Sequence, residues 1–272
     1  MSAAEPGLLY EKRDGVAYLT FNRPDVHNAW NPEVMVRLAE AWKSFAEDDD
    51  LRVAIITGAG DKAFSAGADL GHLIPVLTGA RQPQDEWDRR VLEDRSLTRY
   101  GLLRGLEMYK PVVAAVNGFC LAGGMELLQG TDIRIAAEHA EFGLSEAKRA
   151  LVPAGGSLVR LARQVPFAKA MEILLTGDRI SAQEAHRIGL VNYVVPAAEV
   201  MPTAERFART IAANGPLAVR KIKEAVLRTS GLPLRDAYKI ETECAGEVMR
   251  SDDAKEGPRA FMEKREPRYT GR

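Results

Sequence analysis

Hydrophobic and polar positions change their rhythm several times along the chain. Leu8-Leu9-Tyr10 and Val16-Ala17-Tyr18-Leu19-Thr20-Phe21 are short runs rich in aliphatic, aromatic and β-branched residues. Asp14-Gly15 between them is a tight-hairpin signal, so two strands are predicted, ended by Asn22-Arg23-Pro24. Asn31-Pro32 then reads as a helix cap followed by a first-turn proline, and Leu38, Trp42 and Phe45 fall on one helical face. Asp48-Asp49-Asp50 is a solvated exit from that helix. The apolar runs 53–57 and 112–116 do not alternate and are too short for helices, which predicts strands buried on both faces. Lys110-Pro111 suits the start of the second and Asn117-Gly118 its end.

From Gly71 to about Arg99 the periodicity fails. Pro75, Pro83 and a charged run at 85–90 containing Trp87 leave this part without a predicted element. Order returns with a short strand at 132–136, a lead through 140–143 into Ser145-Glu146, and Pro153-Ala154-Gly155-Gly156-Ser157 opening a helix at 158–163. Ser181-Ala182-Gln183-Glu184 is a capping box, Gly189 a helix stop, and 191–195 a strand closed by Pro196. Everything beyond is helical: 204–213, a break at Asn214-Gly215-Pro216, then 217–228, 234–250 and a last short helix from Pro258. Strand-turn-helix units followed by helices alone predict an α/β core over residues 1–196 and a helical C-terminal region over 197–272.

Composition narrows the function more than the fold. The 272 residues suffice for one large domain, and 37 basic against 38 acidic side chains create no field that would gather nucleic acid or an anionic membrane. Met1-Ser2-Ala3-Ala4-Glu5-Pro6 lacks the layout of a secretory leader, and no uncharged run approaches a membrane span, so a soluble cytoplasmic protein is expected. Cys120 and Cys244 fit a reducing compartment and read as small buried hydrophobes. His27, His72, His139 and His186 share no metal-ligand spacing, and no metal is expected.

Candidate chemistry lies at two places where a buried strand gives way to small residues. Gly123-Gly124 let another molecule approach the main chain, and a helix beginning there leaves its first N–H groups unpaired. Glu126 sits just inside, among Met125, Leu127 and Leu128; alone, this GGxE reads equally as tight helix–strand packing with a first-turn carboxylate. The second place is Lys62-Ala63-Phe64-Ser65-Ala66-Gly67-Ala68-Asp69-Leu70. Gly58-Ala59-Gly60-Asp61-Lys62-Ala63 satisfies a loose dinucleotide-binding pattern, but no strand closing on an acidic residue follows at the distance that fingerprint needs.

Taken together, these two stretches, Phe142-Gly143-Leu144-Ser145-Glu146, Asn22-Arg23-Pro24 with Asn28-Ala29, and Ala260-Phe261-Met262-Glu263-Lys264-Arg265 resemble the enoyl-CoA hydratase/isomerase (crotonase) superfamily, from about Gly15 to Arg265. The resemblance implies a ββα spiral core with a helical, trimerising C-terminal region, and self-association as a trimer or a dimer of trimers. It implies an acyl-CoA substrate, no cofactor beyond the CoA that is part of it, and fatty-acid or other lipid metabolism. By carry-over, the backbone N–H groups of Ala68 and Gly123 form an oxyanion hole. Glu146 is the principal acid/base, and Glu126 positions and helps activate water. Ala66, Gly67, Asp69, Leu70, Gly124, Lys62, Phe261 and Lys264 are implied to bind substrate or CoA, Phe261 and Lys264 often from a neighbouring subunit.

Two glutamates at these places favour hydration of a 2-enoyl-CoA to the 3-hydroxyacyl-CoA. The alternatives are another reaction of the superfamily, such as double-bond isomerisation, and a silent acyl-CoA-binding paralogue. Three departures stand out: Ser145 where hydratases commonly have proline, Ala150 where glycine is usual, and Pro258 in the last helix.

Overall fold

The computed structural model describes residues 5–272; Met1–Ala4, which open the stretch read above for a leader, lie outside the described residues. In chain order, β1 (Leu8–Arg13), β2 (Val16–Phe21), α1 (Pro32–Glu47), β3 (Val53–Gly58) and β4 (Ala63–Ser65) precede α2 (Leu73–Leu77), α3 (Glu86–Glu93) and α4 (Ser96–Gly101). Then come β5 (Val112–Val116), β6 (Phe119–Leu121), α5 (Gly123–Leu128), β7 (Ile133–Ala137), β8 (Glu141–Gly143), α6 (Ser157–Gln164) and α7 (Phe167–Thr176). The chain ends with β9 (Ile180–Ser181), α8 (Ala182–Arg187), β10 (Tyr193–Val195), α9 (Val200–Ala213), α10 (Pro216–Thr229), α11 (Leu234–Met249) and α12 (Asp253–Met262).

Two sheets share the strands. The larger has the order β1-β2-β3-β5-β7-β10, antiparallel only at β1–β2, and the smaller has the order β4-β6-β8-β9. The pairs β3/β4, β5/β6 and β7/β8 each send one strand to the large sheet and the next to the small one, so successive turns stack side by side as a ββα spiral. The hairpin turns at Asp14 and Gly15, both with positive φ, as the Asp-Gly pair requires. Strands β3 and β5 are buried at every position, as their unbroken apolar runs imply.

Capping follows the sequence closely. Asn31 Oδ1 accepts from the Val34 amide, and Ser181 Oγ from that of Glu184. Leu38, Trp42 and Phe45 are fully buried against the large sheet. Helix α9 lies across β3, β5 and β7, while α10 and α11 pack on each other.

Three boundaries differ from expectation. The segment 71–99, read as irregular, contains α2, α3 and α4, too short to display a helical period. The last helix begins at Asp253 and runs through Pro258, which forfeits only one intrahelical hydrogen bond. The strand expected at 191–195 is confined to Tyr193–Val195 because Asn192 is spent on Arg134: its amide donates to the Arg134 carbonyl and its Oδ1 accepts from the Arg134 amide. No helix among the described residues is long and apolar enough to cross a membrane.

Candidate active site

A cavity of 720 Å3 is lined by Ala66, Ala68, Asp69 and Leu70 after β4, by Leu121, Ala122, Gly123 and Glu126 around the start of α5, and by Ser145, Glu146 and Arg149 after β8. Met35 of α1 and Leu73, Ile74, Leu77, Thr98 and Leu102 of the α2–α4 segment supply a mainly apolar side. The spiral explains the meeting. Because β4, β6 and β8 are adjacent strands, the loops that leave their C-terminal ends converge.

At that convergence two stretches of main chain touch. Gly67 has φ 84°, and a Cβ there would stand 2.5 Å from the Gly123 nitrogen. A Cβ on Gly124 would stand 2.5 Å from the Ser65 carbonyl oxygen. Only hydrogen fits at either place, so the sequence preference for glycine here is a packing requirement. The Trp30 amide donates to the Gly67 carbonyl (2.8 Å) and the Asp69 amide to the Trp30 carbonyl (2.9 Å), forming a one-residue parallel bridge that turns the Ala68 N–H the other way. Gly123 is the first residue of α5, whose first backbone bond joins the Glu126 amide to the Ala122 carbonyl. Neither the Ala68 nor the Gly123 N–H has a partner among the described residues. Ala122 precedes Gly123 at φ 49°, ψ −125°, a strained conformation for a residue with a Cβ.

The two carboxyl groups differ in setting. Glu126 is buried, and burial raises its pKa above the usual carboxylate range, opposed by the hydrogen bond from the Ser157 amide (3.3 Å) and by the neighbouring amides of Gly155 and Gly156. Glu146 is pushed up to about 7, first by burial and also by the nearby charge of Glu126. Its Oε2 is buried without a hydrogen-bond partner. A carboxyl group that titrates near neutrality beside a second carboxyl is suited to moving protons at physiological pH. Ser145 does not turn Glu146 away from the cavity: its Oγ and carbonyl oxygen accept from Arg149 Nη1 at 3.0 and 3.1 Å, closing the turn that proline would otherwise stiffen.

Of the residues singled out in the sequence, Ala66, Ala68, Asp69, Leu70, Gly123, Glu126 and Glu146 line one cavity, with Gly67 and Gly124 supplying the close approaches behind it. Lys62, Phe261 and Lys264 are not among its lining residues; Phe261 lies exposed on α12, which packs on α11. Sequence reasoning missed the Ser157 amide, Ala122 and the helices α2 and α4 whose side chains make the apolar side. It also missed Arg160, which donates from Nη1 to the Leu102 carbonyl (3.0 Å) and from Nη2 to that of Leu103, tying this side to α6. Only Ser157 carried a signal, as the first residue after a Gly-Gly pair. Both cysteines are buried and free, and burial pushes the Cys120 thiol up, away from any nucleophilic role. No group of three or more His, Cys, Asp or Glu that could hold a metal occurs among the described residues.

A family model described as enoyl-CoA hydratase/isomerase matches residues 11–272. Enoyl-CoA hydratase EchA19 of Mycobacterium tuberculosis is 44% identical over 98% of this chain and 97% of its own. The carnitinyl-CoA dehydratase of Salmonella paratyphi A is 38% identical over 97% of this chain and 98% of its own. The crystal structure of an enoyl-CoA hydratase from Mycobacterium tuberculosis H37Rv superposes with a TM-score of 0.87 at 40% identity, covering 98% of this chain and all of that one.

Proposed function

This chain belongs to the enoyl-CoA hydratase/isomerase family of the crotonase superfamily, and from that premise we propose that it adds water across the 2,3 double bond of an enoyl-CoA thioester to give the 3-hydroxyacyl-CoA. The observation that carries the reading is the pairing, in one cavity, of two carboxyl groups with two unpartnered main-chain N–H groups. Attack of water at the β-carbon drives electron density onto the thioester oxygen. The Ala68 and Gly123 N–H groups receive that oxygen, and a preformed donor of this kind contributes ~3–4 kcal/mol to the barrier reduction. Glu126 holds the water and accepts its proton, while Glu146, protonated up to about 7, delivers one to the α-carbon. Positioned transfer of this kind adds ~10²–10⁴-fold. The reverse, dehydration of a 3-hydroxyacyl-CoA, runs through the same groups. The acyl chain lies along Met35, Leu73, Ile74, Leu77 and Leu102; CoA enters as part of the substrate, and the reaction needs no other cofactor.

The test is a panel of 2-enoyl-CoA thioesters assayed for water addition, with Glu126→Gln and Glu146→Gln beside the wild type. Each amide keeps size and hydrogen bonding but cannot shuttle a proton, so kcat should fall by ~10² or more with KM little changed. A wild type that shifts a 3-enoyl-CoA double bond faster than it hydrates, with one of the two variants near full activity, overturns hydration in favour of isomerisation.

Self-association is part of the proposal. Ile222, Val226, Leu234, Tyr238 and Met249 leave an apolar face exposed on the C-terminal helices, more than a lone chain normally leaves open. Light scattering at micromolar concentration should give an oligomer built from trimers, and a monomer refutes it.

A further inference from the structure

Asp69 stands next to Ala68 and was expected to contact substrate, yet its carboxylate has nothing left to offer. Oδ1 accepts from the amides of Gly71 (2.9 Å) and His72 (3.1 Å), and Oδ2 from Arg23 Nη1 (3.0 Å) and lies 3.1 Å from His72 Nδ1. A carboxylate has about four acceptor positions; three hold N–H donors and the His72 ring covers the fourth. The Arg23 nitrogen does more than pair a charge, because the same Nη1 donates to the Ala29 carbonyl (2.6 Å). Ala29 precedes Trp30 and Asp69 follows Ala68, so one guanidinium nitrogen ties together the two stretches that form the Trp30–Ala68 bridge. Arg23 is itself held, since its amide donates to Asn28 Oδ1 (3.0 Å) and Asn28 Nδ2 donates to the carbonyls of Ala59 and Ala63. Both partners are largely shielded from solvent, at 20% and 12% side-chain exposure.

We propose that Arg23 and Asp69 form a clamp that aims the Ala68 N–H at the thioester oxygen, making both positioning residues for the reaction rather than substrate ligands. The inference rests on the two-donor reading of the site. It follows from how an N–H group is aimed: its direction is fixed by the peptide plane between Gly67 and Ala68, and that plane is held on one side by Gly67 O and on the other by Asp69. Without the ion pair, the bridge retains two backbone bonds and Asp69 Oδ1 keeps its turn, but no side chain fastens Asp69 to the Ala29 side. The donor stays in the cavity, but its angle is no longer set, and angular precision is what distinguishes a preorganised donor from a solvating one.

The test uses cinnamoyl-CoA, whose absorbance moves to longer wavelength when its conjugated thioester oxygen accepts hydrogen bonds. Spectra are taken in the Glu146→Gln background so that the ligand stays intact. Adding Asp69→Asn should shrink the shift by roughly half or more. In the otherwise wild-type enzyme, Asp69→Asn should lower kcat by about tenfold or more while KM moves less than about threefold, a share of the ~10²–10³ that a whole donor carries. Arg23→Ala should behave alike, with Arg23→Lys recovering part of the shift, which keeps the test open should Asp69→Asn fail to fold. Asp88→Asn, which breaks another shielded arginine pair away from the bridge, controls for simple loss of stability and should leave the shift intact. A full shift in Asp69→Asn or Arg23→Ala, or a shift lost equally in Asp88→Asn, overturns the clamp while the two-donor site stands. No shift with Glu146→Gln alone, together with no turnover of any enoyl-CoA by the wild type, overturns the reading of the site itself and the clamp with it.

Discussion

Residues 65–69 and 122–126 meet main chain to main chain, whereas residues 71–104 reach the same cavity through Leu73, Ile74, Leu77, Thr98 and Leu102, side chains on the short helices α2 and α4 and just after α4. The first region is held by backbone bonds and by glycines that admit no Cβ. The second is held by polar side chains: Asp88 accepts from Arg81 Nη1 and Nη2 and from the Gln84 amide, and Arg160 holds the carbonyls of Leu102 and Leu103. The contrast matches the two tasks of the proposed reaction. Charge stabilisation in the transition state demands fixed donors, which main chain provides. Recognition of an acyl chain needs only apolar surface of suitable shape, which can be changed side chain by side chain without touching the donors.

The comparison is tested most harshly at Gly67. Alanine there must adopt φ 84° and place its Cβ 2.5 Å from the Gly123 nitrogen, so the cavity floor formed by residues 65–69 and 122–126 must open or the donor must turn away. Gly67→Ala should lower kcat/KM by ~10²–10³, the cost of a lost oxyanion donor. Activity within about threefold of wild type would mean that main-chain contact is not what fixes the chemistry.

Next in size is the pH dependence at Glu146. With its carboxyl pushed up to about 7, kcat/KM for hydration should fall about tenfold per pH unit above that value as the donor form disappears. Stability carries the same signature. The folded carboxyl keeps its proton to about 7, and the unfolded one only to about 4.3. Between these values the folded state binds more protons, so its stability declines as pH rises through that window. Glu146→Gln removes the decline and should be more stable than wild type above pH 7, by roughly 1–2 kcal/mol after allowing for partial solvent access. A melting-temperature difference that is the same at pH 5 and pH 8 counts against the assignment.

The same division decided what could be read from the sequence. The floor was legible because its constraints are local: a buried strand, a glycine where no Cβ fits, a helix start and a carboxylate one turn in. So were the caps at Asn31 and Ser181, whose bonds span three residues. The spiral and the meeting of Glu126 with Glu146 needed the family resemblance, because strand order is a long-range property and the two glutamates stand on different turns. The helices of the wall, residues 71–104, stayed unread for a physical reason. Helices of five, eight and six residues cannot show a period, and Arg81 and Asp88, which look like solvated charges, are partners whose pairing only tertiary structure displays. Ala122 left no trace at all, since nothing in an alanine announces positive φ.

On the wall the expected effects are smaller and of another kind. Leu77→Ala should lengthen the apolar side and change the ratio of kcat/KM between long-chain and short-chain enoyl-CoA by about tenfold, the low end of what a methylene-sized contact is worth. Turnover of the best substrate should stay within about threefold. A uniform loss across chain lengths would place Leu77 with the floor rather than the wall.

The smallest effects sharpen the comparison by relieving strain in place of creating it. Ala122 at φ 49°, ψ −125° and Ala150 at φ 55°, ψ 33° both carry a Cβ where glycine is at ease, but the conformations are not equivalent. The first costs roughly 1–3 kcal/mol in a non-glycine residue, the left-handed helical second about 1. Glycine loosens the unfolded chain by ~0.4–1 kcal/mol in either case. Ala122→Gly should therefore gain about 1 kcal/mol of stability, visible in urea unfolding, while Ala150→Gly should be neutral within about 0.5. Activity should divide them in the opposite sense. Ala122 sets the peptide that carries the Gly123 N–H, so the more stable Ala122→Gly enzyme should lose a few-fold in kcat, whereas Ala150→Gly should not. An Ala122→Gly variant that is both more stable and fully active would show that the strained peptide is an accident of packing and that the floor tolerates more freedom than its tight contacts imply.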